Sequence, residues 1–221
     1  MTPDSLEGIT TMTAIPVVAA VEVPAPVPVV SPIANPAPLG LVAFGLTTLL
    51  LSFINAGVIP ADSVAVVLAT AIPFGGVAQI LAGMWEFRTG NTFGATAFTS
   101  YGMFWISFVL INTTFGSLLP KDPTPILGLY ALAWGIFAAY MFIASLGGAS
   151  RAASLVFVLL ALTFIALAIG FWGHAVTGTG WNQIAGYLGI ATVVAAMYTS
   201  FAGVATPTSG GRSYQSERHV L

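Results

Sequence analysis

Six apolar runs, each about as long as a membrane crossing and separated by short breaks, constrain this chain more than any other feature. A helix needs about 20 predominantly apolar residues to cross roughly 30 Å of hydrocarbon. Lipid offers no partner to an unpaired backbone amide or carbonyl, so the segment must satisfy them within itself. The runs predict spans from about Leu39 to Ile59, Ser63 to Met84, Gly94 to Leu119, Ile126 to Leu146, Ala152 to Trp172 and Trp181 to Val204. Proline marks the joints: Asn35-Pro36-Ala37-Pro38 opens the first span, Pro60-Ala61-Asp62 closes it, and Pro120-Lys121-Asp122-Pro123 ends the third. Charged residues make up 5% of the chain, against about 25% in a soluble domain. The expected fold class is therefore an all-α membrane protein of six transmembrane helices. It divides into a Pro/Val-rich tail over 1–34, expected to be disordered, a six-helix transmembrane domain over 35–204, and a polar C-terminal tail over 205–221.

The same composition excludes several functions. With no cysteine, thiolate catalysis and zinc–thiolate or iron–sulfur sites drop out. The slightly negative net charge and the lack of a basic cluster speak against nucleic acid. No span centre carries Arg, Lys or His, so voltage sensors, retinal-type counter-ions and charged ligand sites are not expected. An intramembrane enzyme would need a nucleophile with its base, or a metal site, at membrane depth, and none is legible. No cofactor or metal is expected. Arg88, Arg151, Arg212 and Arg218 fall on the side of the termini and only Lys121 opposite, which predicts a multi-pass protein of the cell membrane with both ends in the cytoplasm.

An internal echo links the two halves. Asn35-Pro36-Ala37-Pro38 recurs as Asp122-Pro123-Thr124-Pro125, and Gly83-Met84-Trp85 recurs at the same offset as Gly170-Phe171-Trp172. Three spans separate the copies, so the halves would be inverted, the plan of many transport proteins.

The working polar groups have to be neutral. Phe44, Thr48, Leu51 and Asn55 share one face of the first span, with Thr47 and Ser52 beside it. Gln79, Gly83 and Glu86 follow the same spacing in the second, and Thr96, Ser100, Met103 and Ser107 do in the third, where Thr99 adds another hydroxyl. Hydroxyls and amides of this kind donate to a carboxylate without carrying charge. They serve equally as interhelical hydrogen-bond glue, as Gly75-Gly76 would serve close packing. Glu86 beside Arg88 at a helix end reads as an interfacial ion pair, and His174 as an exposed loop histidine. Asn35 and the prolines after it suit a helix start whose positive dipole end would attract an anion.

Asn35-Pro36-Ala37-Pro38-Leu39-Gly40-Leu41, leading into Phe44-Gly45-Leu46-Thr47-Thr48, resembles the acetate uptake transporters, also called succinate-acetate permeases. Two further blocks carry the resemblance: Gly75-Gly76-Val77-Ala78-Gln79 through Gly83 and Glu86, and Gly90-Asn91-Thr92-Phe93-Gly94 on to Trp105. The resemblance implies six helices around a pore in each subunit, assembly as a homohexamer, and an apolar constriction at Phe44, Tyr101 and Leu160. It implies transport of small monocarboxylates, acetate above all with succinate as a further candidate, by an anion channel or a proton-coupled carrier. Candidate substrate contacts are Asn35, Thr47, Thr48, Asn55, Gln79, Thr96, Thr99 and Ser100, and Glu86 is the candidate for proton coupling. A membrane scaffold or signalling protein with a vestigial pore is the alternative. Pro73 within the second span, Ser52 and Ile54, and the proline-rich tail depart from the family pattern and bear on substrate range and proton coupling rather than fold.

Overall fold

The computed structural model describes residues 33–206, so the expected tails, with Arg212, Arg218 and His219, lie outside the described residues apart from their inner edges. Among the described residues, six helices are long and apolar enough to cross a membrane: α1 Ala37–Asn55, α2 Ala61–Thr89, α3 Thr92–Asn112, α4 Thr124–Ser145, α5 Arg151–Trp172 and α6 Gly180–Ala205. They pack in chain order as a ring, each on the next, with α6 closing on α1 and α3 also touching α1. The odd-numbered helices bury 44%, 50% and 44% of their spanning windows, the even-numbered ones 28% each. Connected by short loops, α1, α3 and α5 therefore run in one direction and form the inner wall, while α2, α4 and α6 turn large apolar side chains outward, among them Leu81, Ile136 and Phe201.

The helix ends differ from the sequence expectations for local reasons. Helix α1 stops at Asn55, short of Ile59, because Gly57 takes a left-handed φ of 76° and its α-carbon region abuts Gly178 of the α5–α6 loop. Helix α3 stops at Asn112, short of Leu119. There the Asn112 amide donates to the Phe108 carbonyl (2.8 Å) and the Thr113 hydroxyl to that of Val109 (2.8 Å), and a 3-10 turn, Gly116–Leu118, follows. Side chains that compete for backbone carbonyls in this way loosen a helix end.

Helix α2 departs furthest. It begins as a 3-10 turn (Ala61–Ser63), becomes α-helical (Val64–Thr70), widens into a π-helical stretch (Ala71–Ala78) and returns to α-helix (Gln79–Thr89). Pro73 lies inside the wide stretch, where the missing N–H is absorbed without breaking the span. The expected loop from Trp85 to Phe93 shrinks to Gly90-Asn91. Glu86 and Arg88 look like a polar break in sequence but are helical, and the chain turns only at Gly90, φ 79°.

The echo in the sequence recurs as contacts. The Asn35 carboxamide oxygen accepts the Ala37 N–H (3.0 Å) at the start of α1, and the Asp122 carboxylate accepts the Thr124 N–H (3.1 Å) at the start of α4. Gly83 lets α2 lie on α3 at Thr99 and Ala95, and Gly170 lets α5 lie on α6 at Asn182, with Ala95 and Asn182 again at the common offset.

Candidate functional site

Each inner helix contributes one residue of the expected constriction: Phe44 from α1, Tyr101 from α3 and Leu160 from α5, exposed by 5%, 3% and 4%. The Phe44 and Tyr101 rings meet at 6.0 Å between centroids. Leu160 lies between Phe157 and Phe164 on one face of α5; Phe157 reaches Tyr101 (6.3 Å) and Phe164 packs edge-on against Phe104 (5.2 Å). From α4, Trp134 and Phe137 complete the cluster at 5.8 and 5.3 Å from Tyr101. These aromatics fill the space between α3 and α4, whose backbones stand further apart than those of other neighbouring helices. Aromatic side chains thus pack the region where α1, α3, α4 and α5 face one another.

Within the helix packing, several buried neutral polar atoms have no hydrogen-bond partner: Thr48 Oγ1, Gln79 Oε1, Thr99 Oγ1, the Tyr101 hydroxyl, Trp105 Nε1 and Asn182 Oδ1. Buried polar groups are nearly always paired, so such a concentration is informative. Thr48 stands one turn beyond Phe44 on α1, and Trp105 one turn beyond Tyr101 on α3. Because α1 and α3 run the same way, both lie on the same side of the Phe44–Tyr101 contact. The packing between helices that brings these groups near requires glycine at Gly75, where an added β-carbon would lie 2.8 Å from the Trp105 ring and 2.9 Å from Thr47 Oγ1. Gln79 follows one turn after Gly75, on the edge of the π-helical stretch.

The other expected contacts are less uniform. Thr47 is fully buried, but its hydroxyl donates to the Ala43 carbonyl (3.0 Å) of its own helix. Thr96, Ser100 and Asn55 are half-buried, and Asn55 sits where α1 lies against Gly186 of α6. Asn35 caps the entry to α1, away from the aromatic cluster. Trp105 is the residue sequence reasoning missed; its place four residues after Tyr101 was the available signal.

Glu86 corrects the ion-pair expectation. Its side chain is 1% exposed, whereas Arg88 is exposed at the surface. One carboxylate oxygen, Oε2, accepts from Asn91 Nδ2 (2.8 Å) and from the Thr89 hydroxyl (3.3 Å), while Oε1 is buried without a partner. Asn91 in turn caps α3, its Oδ1 accepting the Gly94 N–H (3.0 Å). The carboxylate is therefore part of the α2–α3 turn. Gly94 permits this, since a β-carbon there would lie 2.9 Å from Glu86 Cδ.

Glu86 is the only buried Asp, Glu, Lys, Arg or His among the described residues. A ring of six membrane-crossing helices, with aromatics packed between the inner ones and unpaired neutral groups among them, is the framework of a membrane channel or transporter. The chain belongs to the GPR1/FUN34/yaaH family, whose model matches residues 20–214. It is 41% identical over 174 residues to the succinate-acetate/proton symporter SatP of Escherichia coli K12, covering 76% of this chain and 86% of that one. It is 39% identical over 213 residues to acetate permease A of Emericella nidulans, covering 83% and 71% respectively. Among solved structures it is similar to the bacterial acetate channel SatP, with a TM-score of 0.71 and 41% identity over 78% of this chain and 92% of that one.

Proposed function

We propose that this protein conducts small monocarboxylates, acetate above all and succinate as a larger candidate, through the centre of each six-helix subunit. The observation that carries the reading is the set of buried, unpartnered neutral atoms on α1, α2 and α3, among them Thr48 and Trp105 one turn beyond Phe44 and Tyr101, with no buried cation among the described residues. Hydroxyls and the indole N–H donate to a carboxylate, while the Gln79 amide oxygen accepts from the protonated acid. The aromatic cluster excludes hydrated inorganic ions, which cannot shed water there, and admits a solute with a methyl end. Phe44, Tyr101 and Leu160 form the gate. Thr48, Gln79, Thr99 and Trp105 are the substrate contacts nearest it, and Asn35, Thr47, Asn55, Thr96 and Ser100 line the approaches. The relatives named as acetate and succinate transporters support the same substrate class. Both channel and proton-coupled passage suit a neutral pathway, and Glu86 is the proton-coupling residue in the second case.

The reading extends to a transport protein without catalytic activity, assembled as a homohexamer in the cell membrane with both termini cytoplasmic. Purified protein in liposomes is expected to take up labelled acetate above protein-free controls, and Tyr101→Ala to admit longer acids such as succinate. Absence of acetate flux would favour the membrane scaffold with a vestigial pore.

A further inference from the structure

At the end of the ring opposite the termini, α5 closes with a six-residue capping motif: the Ala175 N–H reaches the Gly170 carbonyl (2.8 Å) and the His174 N–H that of Phe171 (3.0 Å). The residue between Gly173 and Ala175 in this motif has to adopt a left-handed backbone, and glycine usually supplies it. Here it is His174, at φ 51°, the only non-glycine residue with positive φ among the described residues. A residue held against its backbone preference is a reason to ask what its side chain does.

Its side chain joins a chain of hydrogen bonds to the start of α4. Nδ1 lies 3.3 Å from Thr124 Oγ1, and Thr124 Oγ1 donates to Asp122 Oδ1 at 2.6 Å. The single hydroxyl proton of Thr124 is committed to the carboxylate, so Thr124 can only accept from the imidazole. His174 must therefore carry a proton on Nδ1. The imidazolium always does, whereas the neutral ring does so in only one of its two tautomers. Next to it, the Trp172 indole donates to the Pro125 carbonyl (3.2 Å), and the Asn182 amide of α6 to that of Ala175 (2.8 Å). One histidine thus sits where α4, α5 and the α5–α6 loop meet.

We propose that His174, Thr124 and Asp122 form a pH-sensitive clasp that fastens the α5–α6 loop to the start of α4, tightening when the imidazole is protonated. The other charged groups at this end are Lys121, next to Asp122, and Asp62 in the first turn of α2; the α5–α6 loop and the first turn of α6 contribute no further acid or base. Bonds from the Thr124 hydroxyl and amide hold the Asp122 carboxyl below the usual carboxylate range. Asp122 therefore stays ionised above about pH 5, so its carboxylate is not the group that switches.

Hydrogen–deuterium exchange of the full-length protein in nanodiscs, at about pH 5.5 and 7.5 and corrected for intrinsic exchange, tests this without reference to transport. The backbone amides of 173–180 in the wild type are expected to be at least about threefold better protected at the lower pH. His174→Gly removes the imidazole while giving the capping motif its preferred residue, so it folds; its protection should be equal at the two pH values. His174→Asn, which also tolerates the left-handed backbone and keeps a neutral donor, should be pH-independent as well. Equal protection in the wild type at both pH values, or a pH effect that persists in His174→Gly, overturns the clasp.

Discussion

At the scale of single residues, the proposed pathway rests on buried side chains that could hydrogen-bond and do not. Trp105 is the sharpest case, because its ring is fixed by Gly75 on one side and by edge-on contact with Phe104 and Phe108, yet its N–H has no partner. Trp105→Phe keeps the aromatic bulk and removes only the donor. Since a hydrogen bond to a charged group contributes about 1.5–3 kcal/mol, acetate KM in a liposome assay should rise about tenfold or more, with uptake of acetamide, a neutral solute of similar size, unchanged. Thr48→Val makes the same cut on α1 and should act in the same direction. Glu86 is different in kind, because the α2–α3 turn holds one of its oxygens and leaves the other without a partner. Glu86→Gln is expected to alter the pH profile of acetate uptake, and an unchanged profile would remove Glu86 from proton coupling. Sequence spacing brought Thr48 and Gln79 forward as polar groups within the spans and Glu86 at a helix end, while Thr99 entered as an added hydroxyl beside the spaced set. It could not separate Thr47, which spends its hydroxyl on its own helix, from Thr48, because that difference lies in where two adjacent side chains point.

At the scale of elements, close backbone approach sets the geometry. A β-carbon on Gly102 would lie 2.5 Å from Ile80 Cγ1 and 2.8 Å from the Gly76 carbonyl, and the second of these cannot move without shifting α2. Gly102→Ala should therefore destabilise the protein by about 1–3 kcal/mol, the usual cost of overpacking, and lower its melting temperature in detergent. Gly148→Ala meets nothing within 4 Å and serves as the neutral control. The α2–α3 turn depends on Asn91 for two tasks, capping α3 and holding Glu86. Asn91→Ala should cost about 1–2 kcal/mol from the lost cap alone, whereas Asn91→Ser keeps a capping oxygen and loses only the amide that serves Glu86. Thermal unfolding of the two variants separates these tasks. The six spans and their order were legible because hydropathy and proline punctuation are local. The π-helical stretch in α2 was not, since Pro73 alone does not say whether a span breaks there or widens.

At the scale of the whole molecule, the alternation of inner and outer helices gives the protein two kinds of surface. The inner trio meets in aromatics, while α2, α4 and α6 expose apolar side chains to lipid and, in the proposed hexamer, to neighbouring copies. Native mass spectrometry of the 22.7 kDa chain should give six copies per particle. The lack of cysteine makes orientation easy to test: an impermeant maleimide applied to intact cells should label Lys121→Cys and leave Gly148→Cys unmodified. The sequence by itself determined the solvent, the number of crossings and the scarcity of charge within the spans, because these follow from composition and from the backbone's need to satisfy itself in lipid. The tertiary structure alone decided which helices face inward, that Phe44, Tyr101 and Leu160 are buried in one apolar cluster, and that Glu86 is buried rather than paired with Arg88. Those outcomes depend on rotation about each helix axis and on how closely glycines let neighbours approach, and neither is encoded within a single span.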